Sequence, residues 1–381
     1  MAIDDRVVEE IAAQVDDPRD GMERTVDGPL ARPEGAAIAS TPTALVTGAS
    51  GLLGGCLVER LRARGVSMRL VDMVPPPDDR ANGTELLTMD LRDAAAVAGA
   101  CRGVEVVYNL AAGQRMKPQF SAMTEREIFD MNLAAVRHVL DGARAAGVRK
   151  VVHISSSGVY GVPTTNPVRE DHPQKPLGAY GESKIAAETL CREAVAAGLD
   201  VTVFRPMSLF GPGMTGVFLL LFDWVRLGKN VYFLGSGRNR VQMASAWDVA
   251  DACILAAERP ASRGAVLNLG AGEVPTVRGQ VEALIAHARS RSRIVPIPAA
   301  IVRNAGRVLN VVKLSPIEPQ HYLLADADFV LDCTPARSIL GWEPAYSNVR
   351  MNTEAFDWYC RNVERVRAEP GIVLRVLNAL S

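Results

Sequence analysis

The sequence predicts an α/β fold: a doubly wound parallel sheet followed by a smaller C-terminal lobe. Three observations carry this expectation. From residue 43 onward, short β-branched apolar runs alternate with helical patterns, and such alternation implies parallel strands joined by right-handed helical crossovers. The first run, TALVTGAS, ends in a glycine turn that opens directly into a helical pattern. After residue 206 the alternation loosens into loops, helices and isolated strands.

The elements follow in order. TALVT reads as the first strand, and LLGGCLVERLRARG as a helix with basic residues late and Gly65 at its stop. MRLVDM is a strand, AAAVAGACRG a helix and VEVVYNLAA another apolar strand. Residues 125–147 form a long amphipathic helix before the strand KVVHISSS. A helix over 179–197 and the strand DVTVFRP complete the regular part. Beyond it, VFLLLFDWVRLG and AWDVADACILAAE read as helices, VYFLG and AVLNLG as strands. The expected organisation is an N-terminal extension over 1–41, flexible or partly helical, since its charge, Gly and Pro leave little to bury. A nucleotide-binding domain over 42–206 follows, then a substrate lobe over 207–381 with interleaved returning elements and C-terminal helices. The tail has apolar residues at 372, 373, 376, 377 and 380, a helical stripe expected to dock on its own subunit.

Totals narrow the class. With 381 residues, 48% of them hydrophobic, the chain can bury one large or two intimate domains. A net charge of −1 offers no basic surplus for nucleic acid. The six cysteines are scattered, with no CxxC and no clustering with His, which points to a reducing compartment and no metal site. MAIDDRVVEE lacks the apolar core of a signal peptide, and the run GVFLLLF at 216–222 is far too short to span a bilayer. A cytoplasmic protein without a membrane partner is expected.

The first turn, TGASGLLGG, places Gly48, Gly51 and Gly54 between strand and helix. Glycines there let the backbone approach a pyrophosphate, whose charge the helix N-terminus favours. This Rossmann-type reading assigns the phosphate contacts to Gly48, Gly51, Leu52, Leu53 and Gly54. Asp72 closes the second strand, where a carboxylate accepts hydrogen bonds from an adenosine ribose and repels a 2′-phosphate. No arginine stands in the following MVPPPDD, so NAD is favoured over NADP. Asp90, in TMDLRD, is either an adenine contact or a helix N-cap.

From about 43 to 350 the chain resembles the extended short-chain dehydrogenase/reductase family, which includes nucleotide-sugar epimerases and dehydratases. The resemblance lies in TGASGLLG, MDLRD, NLAA, MNLAAVRHVL, HISSSGVYG, YGESK, FRPMSLFGPG, DVADA, LNLGAGE and LGWEPAYS, all in family order. It implies NAD as cofactor, with Leu91 and Ala111 among its contacts, and a homodimer formed through the helices at 125–147 and 179–197. It also implies that Tyr180 of the Tyr-x-x-x-Lys pattern is the acid–base group, Lys184 its partner and Ser156 the assisting hydroxyl, with Ser157 a neighbouring substrate contact. The physical logic agrees: an ordinary phenol is a poor base at neutral pH, and a nearby ammonium favours the phenolate.

Departures from the family shape the expected reaction. Dehydratases of this pattern carry Asp-Glu after the active hydroxyl, where this chain has Ser157 and Gly158. Ser208 stands where sugar-nucleotide epimerases usually have Asn, and Val241 where they place an arginine, leaving Arg240, one residue earlier with Arg238 beyond, as the phosphate candidate. Gln114, Arg115 and Lys117 are further candidates to face substrate, and His153 is expected to be structural. The expected function is an NAD-dependent epimerase acting on a nucleotide-activated sugar. The alternatives are a dehydrogenase or ketoreductase of a non-nucleotide hydroxy compound (cyclitol, sterol or polyketide-type) and a catalytically silent NAD-binding regulator.

Overall fold

A computed structural model describes residues 44–75, 84–114, 120, 122–211, 213–214, 218–298 and 326–368. The expectations for residues 1–41, for Arg115 and Lys117, and for the stripe at 372–380 lie outside these residues.

Seven parallel strands make the main sheet: β1 (Ala44–Thr47), β2 (Met68–Asp72), β3 (Glu85–Thr88), β4 (Val106–Asn109), β5 (Lys150–Ile154), β6 (Val201–Pro206) and β10 (Val266–Leu269). Their order is β10-β6-β5-β4-β1-β2-β3. The chain winds outward from β1 through β2 to β3, crosses back to β4, and winds outward the other way. The carboxyl ends of β1 and β4 therefore flank the switch point, where such sheets form their ligand crevice. Every residue of β1, β4, β5 and β6 is buried, whereas β3 is an edge strand with exposed residues at both ends. Strands covered on both faces need apolar side chains throughout, which explains runs such as ALVT and VTVF.

Helices cover both faces. α1 (Leu52–Ala63) and α6 (Ala246–Glu258) pack Leu57, Val58, Val249 and Ala252 into one core. On the other face, α2 (Ala94–Cys101), α3 (Glu125–Ala145) and α4 (Ala179–Ala196) contribute Val97, Val139 and Leu190. α3 starts with a reciprocal capping box: Thr124 Oγ1 accepts from the Glu127 N–H at 3.2 Å, and the Glu127 carboxylate accepts from the Thr124 N–H at 2.7 Å. α2 is capped by Asp93, whose Oδ1 accepts from the Ala96 N–H at 3.0 Å. Asp90, one of whose readings was this cap, sits three residues too early.

The remaining elements are β7 (Leu209–Phe210), α5 (Phe218–Arg226), β8 (Val231–Leu234), β9 (Ala244–Ser245), α7 (Val277–His287), β11 (Ile294–Ile297), α8 (Thr334–Leu340) and α9 (Asn348–Ala368). β11 pairs with β8 and β7 with β9, both in parallel. A third core gathers around Phe210, Phe222, Met351 and Tyr359. The buried carboxylate of Asp223 on α5 accepts from Tyr359 Oη at Oδ1 and from Arg367 Nη2 at both oxygens, each at 3.0 Å, and so fastens α9 to α5. The described residues form one compact unit. Because β10 completes the main sheet beside β6, the stretches on either side of residue 206 share that sheet. No helix among the described residues is long and apolar enough to cross a membrane.

Candidate active site

The glycine turn is built by close approach. Gly48 has φ +72°, and a Cβ there would lie 2.9 Å from the Cα and N of Ala111, in the loop after β4. A Cβ on Gly54 would lie 2.3 Å from the Gly48 carbonyl oxygen. Both positions therefore exclude side chains: one presses the turn onto the β4 loop, the other presses α1 onto the turn. Gly51 is less confined, its notional Cβ lying 3.3 Å from the same oxygen. α1 begins at Gly51 with no side-chain cap, so its first turn presents amide dipoles to an anion. The Leu53 side chain is buried in the core, and that of Leu52 packs beneath Gly211. Leu53 can therefore offer a ligand only its backbone, while Leu52 stays partly exposed.

Asp72 meets the turn from β2. Its Oδ2 accepts from the Ser50 N–H at 3.0 Å, and its Oδ1 from Met73 at 2.7 Å and Val74 at 3.3 Å. The carboxylate is thereby fixed at the rim of the turn. A bare glycine turn, an uncapped helix and an anchored carboxylate together fit a dinucleotide. Asp90 is differently engaged: the exposed Arg92 forks onto its Oδ2 at 2.8 and 2.6 Å, and that hydrogen bond holds its carboxyl below the usual range. Leu91 beside it is buried, its carbonyl 3.0 Å from His138 Nδ1.

Ser156, Tyr180 and Lys184 come together at the carboxyl edge of the sheet. Ser156 stands two residues past the end of β5, and its Oγ accepts from the Gly158 N–H at 3.0 Å. Lys184 is 4% exposed; its Nζ donates to the Ile154 carbonyl at 2.8 Å and lies 5.8 Å from the centre of the Tyr180 ring. Two glycines make the convergence possible. A Cβ on Gly158 would lie 3.3 Å from Ser156 Oγ and 3.9 Å from Tyr180 Cδ1, and one on Gly181 would lie 2.7 Å from the Gly158 carbonyl oxygen. The first turn of α4 thus sits flush on the serine turn.

The other expected substrate contacts are spread out. Ser157 is buried. Ser208 is exposed between β6 and β7, its carbonyl accepting from the Ala244 N–H at 3.0 Å. Arg240 is exposed too, its N–H bound to Asp328 Oδ1 at 2.7 Å and its carbonyl to the Phe329 N–H at 2.7 Å. Gln114 lies partly buried beyond β4.

A profile of the NAD dependent epimerase/dehydratase family matches residues 44–270. The chain belongs to that family. It is therefore an NAD-dependent enzyme of the oxidoreductase/isomerase kind. It is similar to the uncharacterized protein y4nG of Sinorhizobium fredii (strain NBRC 101917 / NGR234), 36% identical over 84% of this chain and 79% of that one. It is 29% identical to a UDP-glucose 4-epimerase of Mycolicibacterium smegmatis over 79% of this chain and 93% of the other. A sterol demethylase protein B of Methylococcus capsulatus is 34% identical over 54% of this chain and 61% of its own. Among solved structures, MoeE5 in complex with UDP-glucuronic acid and NAD superposes with a TM-score of 0.68 at 26% identity, covering 84% of this chain and 99% of that one.

For a member of this epimerase/dehydratase family, the polar interior behind the site is as informative as the site itself. Thr47, Asn109 and His153 stand in register across β1, β4 and β5. Thr47 Oγ1 donates to Asn109 Oδ1 at 2.9 Å, and the Asn109 amide meets His153 Nδ1 at 3.2 Å. Burial pushes the fully enclosed His153 down to about 3, with the charge of Lys184 adding to the effect, so the ring stays neutral. Sequence reasoning missed the ion pair of Glu188 with Arg205, both buried. The signal was present: Tyr180, Lys184 and Glu188 recur every four residues, which puts a polar stripe on one face of α4.

Proposed function

We propose that this protein is an NAD-dependent epimerase of a nucleotide-activated sugar. The observation that carries the reading is the convergence of Ser156, Tyr180 and Lys184 across two positions that lack side chains, with no carboxylate at 157 or 158. When bound, NAD accepts a hydride from the substrate carbon and returns it. Tyr180 takes the proton of the hydroxyl on that carbon, with the Lys184 ammonium 5.8 Å from the centre of its ring. Because Ser156 Oγ already accepts from Gly158, its own hydrogen is directed to the carbonyl oxygen forming on the sugar. The transient ketone turns, presents its other face, and receives its proton back from Tyr180. Water elimination would need an acid and a base where Ser157 and Gly158 stand.

In this reading the backbone of Gly48, Gly51, Leu52, Leu53 and Gly54 holds the pyrophosphate and Asp72 the ribose. Asp90 and Leu91 lie on the adenine side, while Ala111, Tyr180 and Lys184 meet the nicotinamide half. Ser157, Ser208 and Arg240 face the sugar nucleotide. Its support is the similarity to UDP-glucose 4-epimerase and to MoeE5, which is described with a sugar nucleotide and NAD. We place the enzyme in the cytoplasm as a homodimer joined through α3 and α4, whose outer faces share a groove lined by Arg137, Leu140, Asp141, Leu190 and Glu193.

Asp72→Ala is expected to weaken NAD binding by about 10- to 100-fold, because hydrogen bonds to a charged group contribute about 1.5–3 kcal/mol and 1.4 kcal/mol is tenfold. The preference for NAD over NADP should narrow in parallel. Calorimetric titration with each dinucleotide checks both, and unchanged affinities would remove Asp72 from the cofactor site.

Val241 at the usual arginine position, Ser208 in place of Asn, and the likeness to sterol demethylase protein B favour a second reading, oxidation of a non-nucleotide alcohol. The two differ in cofactor bookkeeping. Purified protein is incubated with NAD and a panel of nucleotide sugars, cyclitols and sterols, following NADH absorbance and product identity. A new sugar without net NADH is the expected result. Stoichiometric NADH with a sterol or cyclitol would transfer the assignment to the second reading, and inertness toward every compound would leave an NAD-binding regulator.

A further inference from the structure

HISSSG contains three serines, and the reaction above uses only the second and third. Ser155 has a different task. Its N–H belongs to the sheet, donating to the Phe204 carbonyl at 2.7 Å, while its Oγ donates to Glu188 Oε1 at 2.5 Å. Glu188 sits two turns beyond Tyr180 on the same helix and is 1% exposed. Arg205, from β6, forks onto both of its oxygens at 2.9 and 2.7 Å, and Gln174 adds a bond to Oε2 at 3.0 Å.

The fork does not end there. Arg205 Nη1 donates to Tyr160 Oη and to the Glu170 carbonyl, both at 2.8 Å, and Tyr160 Oη donates to Asn268 Oδ1 of β10 at 2.7 Å. The segment between Ser156 and α4 is thereby tied at its start, its middle and, through Gln174, just before the helix.

We infer that Ser155, Glu188 and Arg205 form a clamp that positions Tyr180 against Ser156. The inference rests on the reading of those two residues as the reacting pair. Its logic is geometric. α4 touches the end of β5 at two successive residues: Lys184 holds the Ile154 carbonyl and Glu188 holds Ser155. Two attachments on one helix face, one turn apart, fix both the distance of α4 from the strand and its rotation about its axis. With one attachment gone, the rotation of α4 rests on the apolar packing of Ala187, Leu190 and Cys191 alone, and a small turn of the helix shifts Tyr180 relative to Ser156. Displacement of a reacting group by about 1 Å can cost about 10²-fold in rate.

Ser155→Ala, Ser155→Thr and Glu188→Gln test the clamp in the full-length protein. Crystal structures with NAD give the position of Tyr180 relative to Ser156, and kinetics use whichever compound the panel turns over. Ser155→Ala and Glu188→Gln should displace the Tyr180 ring and lower kcat by about 10- to 100-fold, with KM and NAD affinity near wild type. Ser155→Thr, which keeps the hydroxyl, should restore most of the rate. A role confined to stability would lower the melting temperature while kcat, measured well below it, stayed at the wild-type value; that result, or an unmoved Tyr180, overturns the inference. If Tyr180 moves but no compound is turned over, the clamp stands and the epimerase reading falls.

Discussion

Replacing Tyr180 with phenylalanine should cut turnover by about 10²–10⁴-fold, the usual worth of a positioned acid–base group, while NAD affinity and melting temperature stay near wild type. The substitution removes one oxygen and leaves the ring seated against Gly158. Among the described residues that hydroxyl has no hydrogen-bond partner in the protein, so nothing buried is orphaned by its loss. Lys184 also keeps its bond to the Ile154 carbonyl. The folded structure thus has almost no stake in the phenolic oxygen, whereas the proposed reaction has no other group to receive the proton. Ser156 cannot substitute, because an aliphatic alcohol gives up its proton far less readily than a phenol and its Oγ already accepts from the Gly158 N–H. Single-turnover measurement of NAD reduction in the presence of substrate separates the proton-transfer step from binding. Turnover within about twofold of wild type would place the acid–base work elsewhere and leave the Tyr180–Lys184 spacing a packing feature.

What could be read in advance depended on how far apart in sequence the interacting parts lie. The glycine turn is nine consecutive residues, and its chemistry is local. Tyr180 and Lys184 are one helical turn apart, so their shared face follows from helix geometry alone. Asp72 needed only the end of β2, which the short run MRLV after the turn at Gly65 announces. Asp90 shows where local reading divides: the segment DLRD holds two aspartates, each able to cap a helix, and only the start of α2 at Ala94 decides for Asp93. The clamp lay further out of reach. Glu188 and Arg205 are 17 positions apart on a helix and a strand, and their pairing depends on the crossover that lays α4 over β5 and β6. Arg240 was harder still, since its neighbours Asp328 and Phe329 arrive from nearly ninety residues downstream. Charged residues in the interior were the available clue: a glutamate in step with Lys184 on the sheet-facing stripe requires a buried cation somewhere.

Arg205→Leu should destabilise the fold by about 3–5 kcal/mol, as expected when one partner of a buried ion pair is removed. The pH dependence of that loss identifies its cause. In the wild type, burial pushes the Glu188 carboxyl up, but the Arg205 hydrogen bonds and charge, helped by Ser155 and Gln174, outweigh it and hold the carboxyl below its ordinary value. A carboxyl depressed in the folded state stabilises the fold above its ordinary value of 4.5, and that contribution is lost as pH falls through the lower folded value. Without Arg205 only the bonds from Ser155 and Gln174 oppose the burial, and the folded-state value of Glu188 moves above the unfolded one. The variant then pays a penalty at high pH that protonation relieves on acidification. The stability gap between wild type and Arg205→Leu should therefore be largest near pH 8 and narrow toward pH 5. It should also shrink when Glu188→Gln is added, because the buried group is then neutral at every pH. Urea denaturation of the three proteins at several pH values measures this directly. A gap independent of pH would assign the loss to the severed bonds with Tyr160 and Glu170, leaving the carboxylate of Glu188 without the buried charge problem that the clamp solves.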